Sequence, residues 1–115
     1  MKRIVVIVRP DRPVSVKAAL DEVEIVRMTV MDYQGFGRQK SQAKVYRGNE
    51  LTNNLLRKVQ HQIAVNEEFV EPTVNAIING GQTGENGQIG DGKIFVLPLD
   101  ECVRIRTGER GSQAI

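Results

Sequence analysis

Three short stretches of the chain gather groups that bind anions. "GFGRQK", Gly35 to Lys40, sets two glycines beside a guanidinium, an amide and an ammonium. Backbone N–H groups in such a loop can point inward onto a phosphate or a carboxylate, and Arg38 can pair with either in bidentate fashion. The same residues also suit a solvated turn on a basic loop. "GDGK", Gly90 to Lys93, offers backbone donors and one cation directly before the apolar run "IFV". Its spacing and neighbours fit no Walker motif, and a flexible helix-to-strand connection is the other reading. "VRIR" sets Arg104 and Arg106 two apart, on one face if the segment is a strand. Two guanidiniums there would clamp a polyphosphate, or would mark a charged edge strand that resists aggregation.

No nucleophile or base accompanies these clusters. His61 is the only histidine and lies in an alternating segment, where a structural or surface role suits it. Cys102 is the only cysteine and reads as a core thiol. One cysteine forms no intramolecular disulfide, which fits a reducing compartment. His61 and Cys102 are too few for a metal centre built by this chain. Phosphate-capable groups without a catalytic set point to binding without turnover.

The elements that must position these groups follow from apolar spacing. Ile4 to Val8 is a continuous β-branched run closed by Arg9 and Pro10, and predicts a strand buried on both faces. Val16, Ala19, Leu20 and Val23 form one stripe of a short helix, with Pro13 suited to its first turn. "EIVRMTVMDY" alternates as a second strand, and "KVQHQIAV" as a third. Between them lie some twenty residues without a usable period, a functional suspect in a compact domain. "NEEFVEPTVNAII" predicts a helix with Asn66 as N-cap, glutamates in the first turn and a stripe of Val70, Val74, Ile77 and Ile78. The glycine-rich loop follows, then "KIFVLPL" as a fourth strand and "CVRIR" as a short last one. This βαββαβ order is the α+β, ferredoxin-like split βαβ plan, which by itself carries no function.

Composition narrows the partners. A chain of 115 residues predicts a single domain over 1–115, small enough to gain from assembly. The net charge of +2 and an aromatic set of three Phe, two Tyr and no Trp argue against a nucleic-acid surface. The apolar run at the N-terminus is too short for a signal peptide and no stretch is long enough to span a bilayer, so a cytoplasmic protein is expected.

"GFGRQK", "VYRG", "IGDGKIFV" and "VRIRTGE", in this order and near-spacing, resemble the PII nitrogen-regulatory signal-transduction proteins over essentially the whole chain. The resemblance implies a ferredoxin-like subunit in a compact homotrimer that binds ATP or ADP between subunits, and 2-oxoglutarate with Mg-ATP. It assigns residues from about 37 to 55 to the effector-docking T-loop, 81–93 to the B-loop and about 102–115 to a C-terminal strand and loop. Carried over by position, Ile7, Thr29, Gly35 and Ala64 line the adenine end. Gly90, Asp91, Gly92, Lys93, Arg104 and Arg106 hold phosphates and ribose, and Arg38 reaches the phosphates from the T-loop base. Gln39 and Lys58 serve 2-oxoglutarate, Gln39 also Mg²⁺, and Arg47 is the residue that some members insert into an ammonium channel.

Three departures from the family pattern stand out. Leu51 replaces the modifiable tyrosine and Asn49 a serine that some members phosphorylate, so modification of that tyrosine is chemically excluded. Gln62 stands at the nucleotide site where a glutamate is frequent. "ENGQI", Glu85 to Ile89, makes the glycine-rich loop three residues longer than the family spacing. Those residues either bulge into solvent or reshape the rim of the cleft. The partner expected is an ammonium channel or an enzyme of nitrogen metabolism, reached through the T-loop; the alternatives are a nitrogenase-associated regulator and a nucleotide-hydrolysing enzyme.

Overall fold

A computed structural model describes residues 1–37, 45–46, 49–50 and 54–115, with the backbone alone at 45, 46, 49, 50 and 54. Arg38, Gln39, Arg47 and Leu51 therefore lie outside the described residues. The elements are β1 (Lys2–Val8), α1 (Pro13–Glu22), β2 (Thr29–Gly37), β3 (Val45–Tyr46), β4 (Asn49–Glu50), β5 (Asn54–Val65), α2 (Val70–Gly81) and β6 (Gly92–Pro98). The main sheet has the order β2-β5-β1-β6. Every neighbouring pair in it is antiparallel. Each helix connects two strands that are separated by a third, which is the ferredoxin-like split βαβ arrangement expected from the sequence.

Strand β1 is covered on one face, not on two. Ile4, Val6 and Val8 are buried, whereas Val5 and Ile7 are only partly so. The buried set joins Val59, Ile63 and Val65 of β5, Val16 and Leu20 of α1, and Ala76 and Ile77 of α2 in one core. The opposite face carries no helix, and Met31, Tyr33 and Phe95 leave 39%, 40% and 46% of their surface exposed. Alternation had been masked in the sequence because Val5 and Ile7 are as apolar as the residues they separate.

The helices meet at a glycine. A β-carbon on Gly80 would stand 2.7 Å from the Ser15 carbonyl oxygen and 2.8 Å from the Val16 α-carbon. The Ser15 hydroxyl donates to the Gly80 carbonyl across this contact at 2.7 Å. The stripe of α2 is accordingly Thr73, Ala76, Ile77, Gly80 and Gly81, with Val70 and Val74 at its margin and Ile78 exposed. Asn66 does not cap α2 with its side chain: a 3-10 turn over Glu67–Phe69 precedes the helix, and the Asn66 amide donates to the Ser112 carbonyl.

Strand β2 begins at Thr29, five residues later than the alternation in "EIVRMTVMDY" predicts. Helix α1 ends in a Schellman closure that uses those residues: Glu24 N–H donates to Asp21 O, and Ile25 N–H to Leu20 O. Beyond it, β2 and β5 pair out to Gly37 and Asn54, so both ends of the segment without a usable period are extended ribbon rather than irregular chain. Within the loop, β3 and β4 form a two-residue ladder.

Candidate functional site

The register of the sheet places the expected site residues in two groups on its open face. Ile7 stands opposite Gln60 and Lys93, Tyr33 opposite Lys58, and Gly35 opposite Leu56. Ile7, Gly35, Lys58, Gly90, Gly92 and Lys93 line one pocket of about 460 Å³, walled by Tyr33 and Phe95. This pocket has an apolar wall, two lysines and a glycine-rich edge, a chemistry that suits a nucleotide.

The second group lies at the other end of the same face. Thr29 pairs with Gln62, and Ala64 with Arg3. Ile7 and Arg3 are four residues apart on β1, a span of about 13 Å. Ala64 and Arg104 line a separate pocket of about 360 Å³ with Phe69 and Ile115. One chain therefore does not bring Ile7 and Ala64 to the same ligand end.

Arg104 and Arg106 do not share a strand face. "CVRIR" forms no strand; only an isolated bridge links Val103 to Arg110. Between them the chain reverses: Arg104 N–H donates to Glu109 O, and Gly108 N–H to Arg104 O. Gly108 and Gly111 take positive φ values of 74° and 76°, which lets the turn close. The Arg104 guanidinium donates to Glu109 at 3.0 Å and to the Gln113 carbonyl at 3.2 Å, while Arg106 is exposed in the turn. Cys102 is half-buried and free, so it is not a core thiol.

The glycine-rich loop is held by residues that composition did not single out. Arg9 donates through Nε to Asp91 at 2.9 Å and through Nη2 to the Ile89 carbonyl at 2.6 Å. Lys58 donates to the Gly90 carbonyl at 2.7 Å. Burial lowers the Lys58 pKa, the Arg9 charge lowers it further, and Asp91 acts in the opposite direction. Burial alone would raise the Asp91 pKa, but hydrogen bonds from Thr83, Gln88 and Arg9 hold it well below the usual carboxylate range. Arg9 could have been found from its position: a charge that closes a buried strand sits at the mouth where the neighbouring strand begins.

His61 is 1% exposed, and neither ring nitrogen has a partner. Burial lowers its pKa, so the ring is neutral near pH 7. Among the described residues no group of three His, Cys, Asp or Glu is placed to hold a metal. No helix among them is long and apolar enough to cross a membrane.

A split βαβ domain with a glycine-rich loop beside a lysine-bearing pocket on its open sheet face defines a class of folds shared by many proteins. Comparison narrows it. The family model "Nitrogen regulatory protein P-II" matches residues 1–109. Nitrogen regulatory protein GlnK1 of Methanosarcina mazei is 47% identical over 115 residues, covering all of this chain and 97% of that protein. Nitrogen regulatory protein P-II of Synechocystis is also 47% identical, with complete coverage of both. A crystal structure of Arabidopsis thaliana PII bound to citrate superposes with a TM-score of 0.76 at 39% identity, over 98% of this chain and 87% of that one. The chain belongs to the P-II family of nitrogen-regulatory signal-transduction proteins.

Proposed function

We propose that this protein binds ATP and ADP in clefts between the subunits of a homotrimer, and 2-oxoglutarate together with Mg-ATP. The observation that carries this reading is the division of the site residues between opposite ends of one uncovered sheet face, where Ile7 and the Arg3–Ala64 pair lie four residues, about 13 Å, apart along β1. A second copy laid against that face supplies Thr29, Gln62, Ala64, Arg104 and Arg106 to the Ile7, Gly35, Lys58 and Gly90–Lys93 pocket of the first. Assembly also covers Met31, Tyr33 and Phe95. Mg²⁺ keeps near-octahedral oxygen coordination and is commonly held through phosphates and water, which suits a chain with a single expected ligand, Gln39.

The bound state biases the T-loop, which docks an ammonium channel or a nitrogen-metabolism enzyme through Arg47. The protein acts in the cytoplasm, reaches a membrane only through such a transporter, and binds without turning over nucleotide. Calorimetry with ADP and with ATP, with and without Mg²⁺ and 2-oxoglutarate, tests the ligands. Absence of ATP and ADP binding at millimolar ligand overturns the reading, and light scattering that shows a monomer overturns the shared cleft. Sustained phosphate release would make the protein a hydrolase. Pull-down with an ammonium channel against a nitrogenase component separates the partners.

A further inference from the structure

The additional length of the glycine-rich loop is organised around one carboxylate. Asp91 Oδ1 accepts from Arg9 Nε at 2.9 Å and from the Thr83 hydroxyl at 2.7 Å. Asp91 Oδ2 accepts from the backbone N–H of Thr83 at 3.0 Å and of Gln88 at 2.8 Å. A carboxylate offers about four acceptor sites, so protein donors occupy its capacity. Its side chain is only 17% exposed, and that of Arg9 only 18%.

Thr83 and Gln88 bracket the turn that contains most of the extra residues, and the single carboxylate ties both ends of that turn together. The loop is thereby sorted between two faces. Asn86, Gln88 and Ile89 line a groove beside Ile77 and Ile78 of α2, on the helix side of the sheet. Gly90 reaches the pocket on the open face, Gly92 and Lys93 border both, and none of residues 84–89 lines the open-face pocket. Of the two fates open to "ENGQI", the geometry matches a segment turned away from the sheet-face pocket.

We propose that Asp91 is a positioning residue: it holds residues 84–89 toward the helix face and sets the backbone of residues 90–93 for an anion, without contacting the anion itself. This role differs from the direct nucleotide contact that the family resemblance implies for Asp91, and it rests on the proposed nucleotide site. The sign of one substitution separates the two roles. A carboxylate beside a polyphosphate repels it, so removing the charge from a group facing the ligand raises affinity. Removing it from a group that shapes the loop lowers affinity.

Calorimetric titration of the full chain with ATP is expected to show a loss of about tenfold for Asp91→Ala. Asp91→Asn is expected to lose less, because its amide oxygen still accepts from Thr83 and Gln88. Unchanged or raised affinity in Asp91→Ala overturns the proposal. Hydrogen exchange in the ligand-free protein supplies an independent reading: the Thr83 and Gln88 amides should exchange faster in Asp91→Ala, while amides of β1 and β5 keep their protection. Equal exchange at Thr83 and Gln88 overturns the proposal, and protection lost throughout the sheet overturns it in favour of a purely structural role. If the unaltered protein binds no ATP, the nucleotide site fails, and the exchange experiment still decides whether Asp91 organises the loop.

Discussion

The first residue of β6, Gly92, lies against the carbonyl of Ile7: a β-carbon at Gly92 would stand 1.7 Å from that oxygen. Gly92 also has φ of 116°, a conformation that L side chains rarely adopt. The pair joins the glycine-rich loop to the central strand of the sheet, so backbone packing fixes the edge of the candidate pocket. Gly92→Ala should cost about 3 kcal/mol or more, because both the contact and the dihedral must give. A urea midpoint close to that of the unaltered protein would contradict it.

Glu24 holds the left-handed position of the Schellman closure with φ of 63°. Glycine takes this position without a β-carbon clash, and its greater unfolded-state entropy offsets only part of the gain. Glu24→Gly should therefore stabilise the protein by about 0.5–1 kcal/mol. Glu24→Ala retains the β-carbon and should give no comparable gain. Chemical denaturation of the three proteins measures the difference.

Much of the fold was legible because the apolar spacing agreed with the final packing. Val16 and Leu20 define α1 in the sequence and are fully buried in the structure. Errors arose where local pattern and tertiary use diverged. Glu24 and Ile25 open a segment that alternates like a strand, yet their backbone N–H groups close a helix. "CVRIR" has strand-like composition, but positive φ at Gly108 and Gly111 turns the chain back. The site was legible as residue types and not as geometry. Spacing cannot reveal that Ile7 and Ala64 sit at opposite ends of a face, nor that Arg9 reaches across more than 80 residues of sequence to Asp91. Such relations depend on strand register, which two distant segments set together.

His61 makes stability sensitive to mild acid. Its folded-state pKa lies below the ordinary value of 6.5. Above pH 6.5 the ring is neutral folded or unfolded and contributes no pH dependence. As pH falls below 6.5, the unfolded chain takes up the proton first and stability declines until the folded pKa is reached. The slope from this group cannot exceed about 1.4 kcal/mol per pH unit. His61→Leu should remove that slope below pH 6.5, and relieve two unpartnered buried nitrogens at neutral pH. An unchanged pH slope in urea titrations would contradict the burial argument.

Glu109 competes with any anion for Arg104. The pair is 3.0 Å long, and the side chains are 27% and 41% exposed, so screening by water keeps its strength modest. If Arg104 serves the nucleotide, Glu109→Gln should tighten ATP binding, by up to about fivefold at low salt. The advantage should shrink as salt rises, since exposed charges are screened over about 10 Å at 0.1 M. Arg104→Gln should weaken binding and leave Glu109→Gln without effect in the double variant, because the competitor then has no cation to occupy. Equal tightening by Glu109→Gln with and without Arg104 would instead mark a general effect of net charge. A calorimetric cycle over the four proteins distinguishes these outcomes.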